Sequence, residues 1–238
     1  MKVFFSIIVA AGLGYFLGSI NFSIIVVRMM TGRDIRDMGS KNAGLTNTLR
    51  CAGKPSALLT LIGDLLKGVV AVFLARGFCH LLHAGMIPGN DTHYIGYIAG
   101  LFAIIGHVFP IYYGFKGGKG VLVGAASFLA VDYKVFLALL AIFVVILAIS
   151  KYVSLASIIS TAYCPLATLL MSWIVDGYSF GRSCLYMLLS LPMAAMVIFM
   201  HRSNIQRLID GNENKFTFNT IDIGRERFIV RSDLLWQK

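Results

Sequence analysis

The chain has 238 residues, 58% of them hydrophobic and only 13% charged, with a mean hydropathy of +0.79. That composition excludes a water-soluble globular domain and points to an all-α polytopic membrane protein. A net charge of +10 would suggest nucleic acid in a soluble chain, but here the basic residues sit between apolar runs, so anionic lipid and anionic substrate are the expected partners and nucleic acid is not.

The first apolar run, 3–27, is too long for a secretory signal and lacks a cleavage site, so it is expected to persist as a spanning helix. The loop after it reads Gly32-Arg-Asp-Ile-Arg-Asp-Met-Gly-Ser-Lys-Asn-Ala-Gly-Leu-Thr-Asn-Thr-Leu-Arg50. Gly39 and Gly44 permit close backbone approach, Ser40, Asn42, Thr46 and Asn47 offer neutral donors, and the planar fork of Arg50 suits phosphate. One reading is a pocket for an anionic, hydroxylated ligand. The other is a plain turn whose basic residues obey the positive-inside rule.

The second run, 56–75, contains Asp64 and Lys67 at i, i+3, where unpaired charge is costly. They are expected to face the bundle interior as a structural ion pair. His80, His83 and His93 follow without a carboxylate or cysteine at metal-ligand spacing, and Cys51, Cys79, Cys164 and Cys184 form no C-x-x-C, so no metal or other cofactor is expected.

After the third run, 95–113, Gly114-Phe-Lys-Gly-Gly-Lys-Gly120 leads straight into a short apolar run, 120–131. Amides of Gly117, Gly118 and Gly120, with Lys119, would meet a helix N-terminus there, a setting that attracts phosphate. A flexible turn with positive-inside lysines is the alternative, and the spacing is not that of a Walker A motif. The short run is about 18 Å as a helix against roughly 30 Å of hydrocarbon, so it crosses only if shielded by neighbours.

Further runs at 135–150, 152–175 and 183–200 bring the expected total to seven helices, one of them short. With seven, the loops at 28–55 and 114–119, Lys151 and the tail from His201 share one face carrying 16 of the 21 Lys+Arg. That face is expected in the cytoplasm, with the N-terminus outside and the C-terminus inside. His201 and Asn204 sit at the boundary of the last run, three residues apart, where a neutral imidazole could accept a proton or hold a phosphate, or simply be interfacial. A transporter of phosphorylated small molecules is a rival function, although the polar groups gather at one face and no internal repeat is visible.

Six motifs in register resemble the PlsY family of bacterial membrane glycerol-3-phosphate acyltransferases. They are Gly18-Ser-Ile20, Gly39-Ser-Lys-Asn-Ala-Gly-Leu-Thr-Asn47 with Arg50, Asp64-Leu-Leu-Lys-Gly68, Gly106-His-Val-Phe-Pro110 with Phe115-Lys-Gly-Gly-Lys-Gly120, Tyr152-Val-Ser-Leu-Ala-Ser157, and His201-Arg-Ser-Asn-Ile205. The resemblance implies acyl transfer from acyl phosphate to the 1-hydroxyl of sn-glycerol 3-phosphate, giving lysophosphatidate and phosphate, with contact to the soluble acyl-phosphate-forming enzyme conceivable and the oligomeric state open. Consistently, the chain has no His-x4-Asp of the other acyltransferase class.

By the same resemblance, Ser40, Arg50, Lys119, Ser157, His201 and Asn204 match positions that hold phosphate and glycerol phosphate, and Glu213 one with a structural role. Asn21 stands where many members have proline, and Lys41 and Leu45 where Gly and Ala are frequent. Arg202-Ser203 replaces a common Arg-Glu. Residues 1–216 are expected to form the acyltransferase domain. Residues 217–238 are expected to be a cytoplasmic extension, with Phe218, Ile221 and Ile223 alternating as in a short hairpin.

Overall fold

A computed structural model describes residues 1–84 and 91–216, so the expected hairpin lies outside the described residues. Among these, every regular element is helical. Six segments are long and apolar enough to cross a membrane: Lys2–Thr31, Leu45–Leu81, His93–Tyr113, Tyr133–Ser150, Val153–Val175 and Phe180–Met200.

The first run is not one helix, as had been expected over 3–27. It divides into α1 (Lys2–Gly18) and α2 (Phe22–Thr31). The Asn21 side chain caps α2 by accepting from the Ile24 amide at 3.1 Å. The Ile20 carbonyl, turned out of the helix, accepts from Lys67 Nζ at 2.6 Å. Before the break, α1 lies directly on α4 (His93–Val108): a Cβ at Gly14 would fall 2.3 Å from the Ala99 carbonyl oxygen, and one at Gly18 2.2 Å from that of Ala103. Glycines four apart let two backbones approach to a distance no larger residue permits.

In α3 (Leu45–Leu81) the helix is interrupted at Gly53, whose φ of 78° and ψ of −179° no L-residue adopts easily. Pro55 follows in the first turn of the long segment, where its missing N–H costs nothing. The turns before Gly53 therefore belong to the loop face. The long segment starts close to the expected residue 56.

The short apolar helix α5 (Val121–Val131) stands beside these six segments. It starts at the glycine loop and ends where the Ala130 carbonyl accepts from Arg76 at 3.1 Å, near the far end of α3. Its 11 residues extend only about 16 Å. It is wedged between α3 and α4, with Gly68 against Ala126 and Gly100 against Ser127, so neighbouring helices shield it. Then come α6 (Tyr133–Ser150), α7 (Val153–Leu170), which runs into a π-helical turn at Met171–Val175, α8 (Phe180–Met200) and the short α9 (Arg202–Ile209).

Asp64 and Lys67 pair at 2.7 Å, both almost wholly buried. Truncating one partner strands a charge among apolar side chains, so Lys67→Met is expected to destabilise the fold by about 3–5 kcal/mol. Adding Asp64→Leu should recover most of that loss in detergent thermal unfolding; a double variant no more stable than the single one would refute the ion-pair account.

Candidate active site

The loop between α2 and α3 is organised around one side chain. The Asn47 amide donates to the carbonyls of Ile35 at 3.3 Å and of Met38 and Asn42 at 3.0 Å, while its oxygen accepts from the Ser40 amide at 3.0 Å. Asn47 is thus occupied in holding the loop. The Ser40 hydroxyl and the Arg50 guanidinium stay exposed beside it. Lys41 adopts a φ of 58°, a left-handed backbone that glycine would adopt without strain.

Arg36, not singled out in the sequence, ties this loop to the next. It bonds Asp34 at 2.7 Å and donates to the carbonyls of Tyr113 at 2.6 Å and Lys116 at 3.2 Å. The hydrogen bond from Arg36 holds the Asp34 carboxyl at about 2, against a smaller opposing effect of burial.

The glycine loop folds back on α4. The Gly117 amide donates to the Val108 carbonyl at 3.0 Å and the Gly118 amide to the His107 carbonyl at 3.1 Å. Two of the three glycine amides expected to face an anion are therefore already bonded, a correction to the open cradle read from the sequence. What remains is the N-terminus of α5 behind Gly120, whose φ is 83° and which has no side-chain cap. The first N–H groups of this helix lack intrahelical partners and point toward the loop face.

Lys119 reaches from the loop to α9, where it donates to Oδ1 of Asn204. Asn204 in turn donates to Glu213 Oε1 at 2.8 Å, and Glu213 also accepts from Ser154 at 3.0 Å and Arg207 at 2.7 Å. Burial and the charge of Arg207 lower Lys119 to about 8, against the pull of Glu213. Burial alone would raise Glu213, but the hydrogen bonds from Asn204, Arg207 and Ser154 outweigh it and keep the carboxylate ionised. Ser154 and Arg207 went unnoticed as site groups in the sequence; Ser154 lies in the Tyr152–Ser157 motif, one turn before Ser157. Ser157 is buried and donates to the Val153 carbonyl at 2.8 Å.

His201 closes α8. Its Nδ1 lies 2.7 Å from the Val197 carbonyl, which only accepts, so Nδ1 carries the proton and Nε2 the lone pair. Burial, with the charge of Lys119, lowers His201 to about 4 despite the Val197 bond, so the ring is neutral at pH 7. The structure thus joins Lys119, Asn204, Glu213 and Ser154 in one network with His201 at its edge. Among the described residues no hydrogen bond or ion pair connects Arg50 or the Ser40 and Asn42 side chains to that network, and no group of three metal-binding side chains occurs.

The sequence model of the glycerol-3-phosphate acyltransferase family matches residues 8–211. A glycerol-3-phosphate acyltransferase of Clostridioides difficile is 38% identical over 211 residues, covering 89% of this chain and 96% of the relative, and one of Syntrophomonas wolfei is 40% identical over 203 residues, covering 85% and 93%. The crystal structure of PlsY, an integral membrane glycerol 3-phosphate acyltransferase, in its glycerol 3-phosphate form superposes with a TM-score of 0.72 at 31% identity, covering 91% of this chain and 96% of PlsY. The lysophosphatidic acid form of PlsY superposes at 0.69. With the family model, the curated relatives and the solved structures all in agreement, the chain belongs to the PlsY family of integral membrane glycerol-3-phosphate acyltransferases.

Proposed function

We propose that the protein transfers a fatty acyl group from acyl phosphate to the 1-hydroxyl of sn-glycerol 3-phosphate at the cytoplasmic face of a bacterial cell membrane, giving lysophosphatidate and inorganic phosphate. The observation that carries this reading is the Lys119–Asn204–Glu213 network, which holds a cation of the glycine loop beside a neutral histidine at one face of the bundle. Crystallised PlsY carried glycerol 3-phosphate in one form and lysophosphatidic acid in another, the acceptor and product of such a transfer.

An acyl phosphate is already activated, so the site has mainly to bring two anions together and offset their repulsion. Lys119, Arg50 and the α5 N-terminus supply positive potential, and Ser40, Asn42 and Ser157 supply hydrogen bonds to phosphate and glycerol. The glycerol hydroxyl oxygen attacks the acyl carbon while Nε2 of His201 takes its proton. The acyl–oxygen bond to phosphate then breaks, and the proton passes from the imidazolium to the departing phosphate. A base lowered to about 4 is weak but is always in its accepting form at pH 7, which suffices against a good leaving group. The acyl chain remains in the bilayer throughout.

The test is purified protein in lipid with radiolabelled glycerol 3-phosphate and either palmitoyl phosphate or palmitoyl-CoA, with Arg50→Ala as control. Lysophosphatidate formed from palmitoyl phosphate alone, and reduced about a hundredfold in the variant, is the expected result. Product from palmitoyl-CoA would overturn the donor assignment. Uptake of glycerol 3-phosphate into vesicles without product would turn the reading to transport.

A further inference from the structure

His107 lies in α4, inside the bundle, and is 4% exposed. Its Nδ1 lies 2.9 Å from Lys67 Nζ, which also meets Asp64 at 2.7 Å and the Ile20 carbonyl at 2.6 Å. An ammonium ion has three hydrogens and no lone pair, so beside Lys67 the Nδ1 atom must accept. The neutral ring then carries its proton on Nε2. Asp64 fixes the charge on Lys67, and Lys67 fixes the tautomer of His107.

The Nε2 edge, opposite Lys67, faces the glycine loop. A Cβ placed on Gly118 would fall 2.3 Å from Nε2 and 2.4 Å from the Ala43 carbonyl, so the loop passes against the ring only because residue 118 is glycine. Among the described residues Nε2–H has no hydrogen-bond partner. The Gly118 amide goes to the carbonyl of His107, not to the ring, and the Ala43 carbonyl accepts from Asn21 at 3.4 Å. The ring is buried but Nε2 itself is not fully enclosed, so this N–H lacks a protein acceptor and reaches accessible space at the glycine loop that leads into the uncapped N-terminus of α5. What such a place lacks is an anionic acceptor.

We propose that the Nε2–H of His107 is a phosphate-oxygen donor of the glycine loop, locked in its donating tautomer by the buried Asp64–Lys67 pair. It binds ligand phosphate, whether of glycerol 3-phosphate or of the phosphate released from the acyl donor, and takes no proton from either. This rests on the reading of the glycine loop as the phosphate site.

The experiment is calorimetric binding of glycerol 3-phosphate and, separately, of inorganic phosphate to the full chain in lipid nanodiscs, for wild type, His107→Phe, His107→Gln and Lys119→Ala. Phe keeps the ring volume without a donor, whereas the Gln amide can place an N–H near Nε2. Losing a hydrogen bond to a charged ligand should weaken binding about ten- to a hundredfold in His107→Phe, with His107→Gln restored to within about threefold of wild type. Weakening of glycerol 3-phosphate binding alone would place the acceptor's phosphate at Nε2. Weakening of inorganic phosphate binding as well would place the leaving phosphate there. Phe and Gln variants that both bind like wild type, or that are equally impaired with unchanged thermal unfolding, would overturn the proposal. If Lys119→Ala also binds both ligands normally, the phosphate reading of the loop itself falls. Nitrogen-15 NMR of histidine-labelled protein, with the His107 signals assigned as those lost in His107→Phe, gives a second readout: a protonated His107 Nε2 that shifts on adding phosphate supports the donor, and a protonated His107 Nδ1 overturns it.

Discussion

Gly118→Ala is expected to lower kcat/KM for glycerol 3-phosphate by at least about a hundredfold while the helical bundle stays folded. The new methyl group would fall 2.4 Å from the Ala43 carbonyl and 2.3 Å from His107 Nε2, distances that no carbon tolerates. Neither neighbour can retreat. Ala43 is fully buried and its carbonyl takes a bond from Asn21, while the His107 ring is held by Lys67. The loop must move instead, releasing the Gly117 and Gly118 amides from the end of α4 and carrying Lys119 away from Asn204. A displacement of about 1 Å of a positioning group is enough for a hundredfold loss. Gly77→Ala is the matched control, since a Cβ there meets nothing within 4 Å and α3 favours alanine. Steady-state kinetics with radiolabelled glycerol 3-phosphate, alongside detergent thermal unfolding, decide the matter. A Gly118→Ala enzyme with wild-type kinetics would show that the packing of this loop does not matter to the reaction.

The same loop shows where the sequence was legible and where it was not. Apolar runs placed the helices well, because burial in hydrocarbon is a property of each segment by itself, and Gly120 ahead of Val121 marked the start of α5 correctly. The break at Ser19–Asn21 escaped because a count of apolar length takes no account of the bonds that make a break affordable, here the Lys67 ammonium on the Ile20 carbonyl, 47 residues away. The glycine amides were read as free because glycine signals only that backbone comes close to something. For Gly117 and Gly118 that something proved to be the end of α4. Asn47 and Arg36 look like any loop polar residues until the carbonyls they bind are known to converge. His107 gave one usable signal, an ionisable side chain within an apolar run, which marks a functional group by default. Its register with Lys67 and Gly118 depends on the packing of three separate segments.

Lys119 should impose an alkaline limit on catalysis. Burial and the nearby charge of Arg207 lower it to about 8, whereas an exposed lysine would stay mostly charged up to about pH 10. The sign follows from what is lost: the cationic form attracts substrate phosphate, so activity is fullest below pH 8 and falls as the ammonium deprotonates above it. Because kcat/KM reports groups of the free enzyme, it should drop about tenfold per pH unit between roughly pH 8.5 and 10. Saturating substrate anion stabilises the ammonium, so the limb in kcat should lie at higher pH than the limb in kcat/KM. Lys119→Arg separates charge from everything else at the position. A guanidinium stays protonated across this range, so the variant should lose the alkaline limb even though its wider head fits Asn204 less well and lowers the maximum. A limb unchanged in Lys119→Arg would assign the titration elsewhere, and a wild-type profile flat to pH 9.5 would mean that the Lys119 ammonium is not what draws the substrate phosphate in.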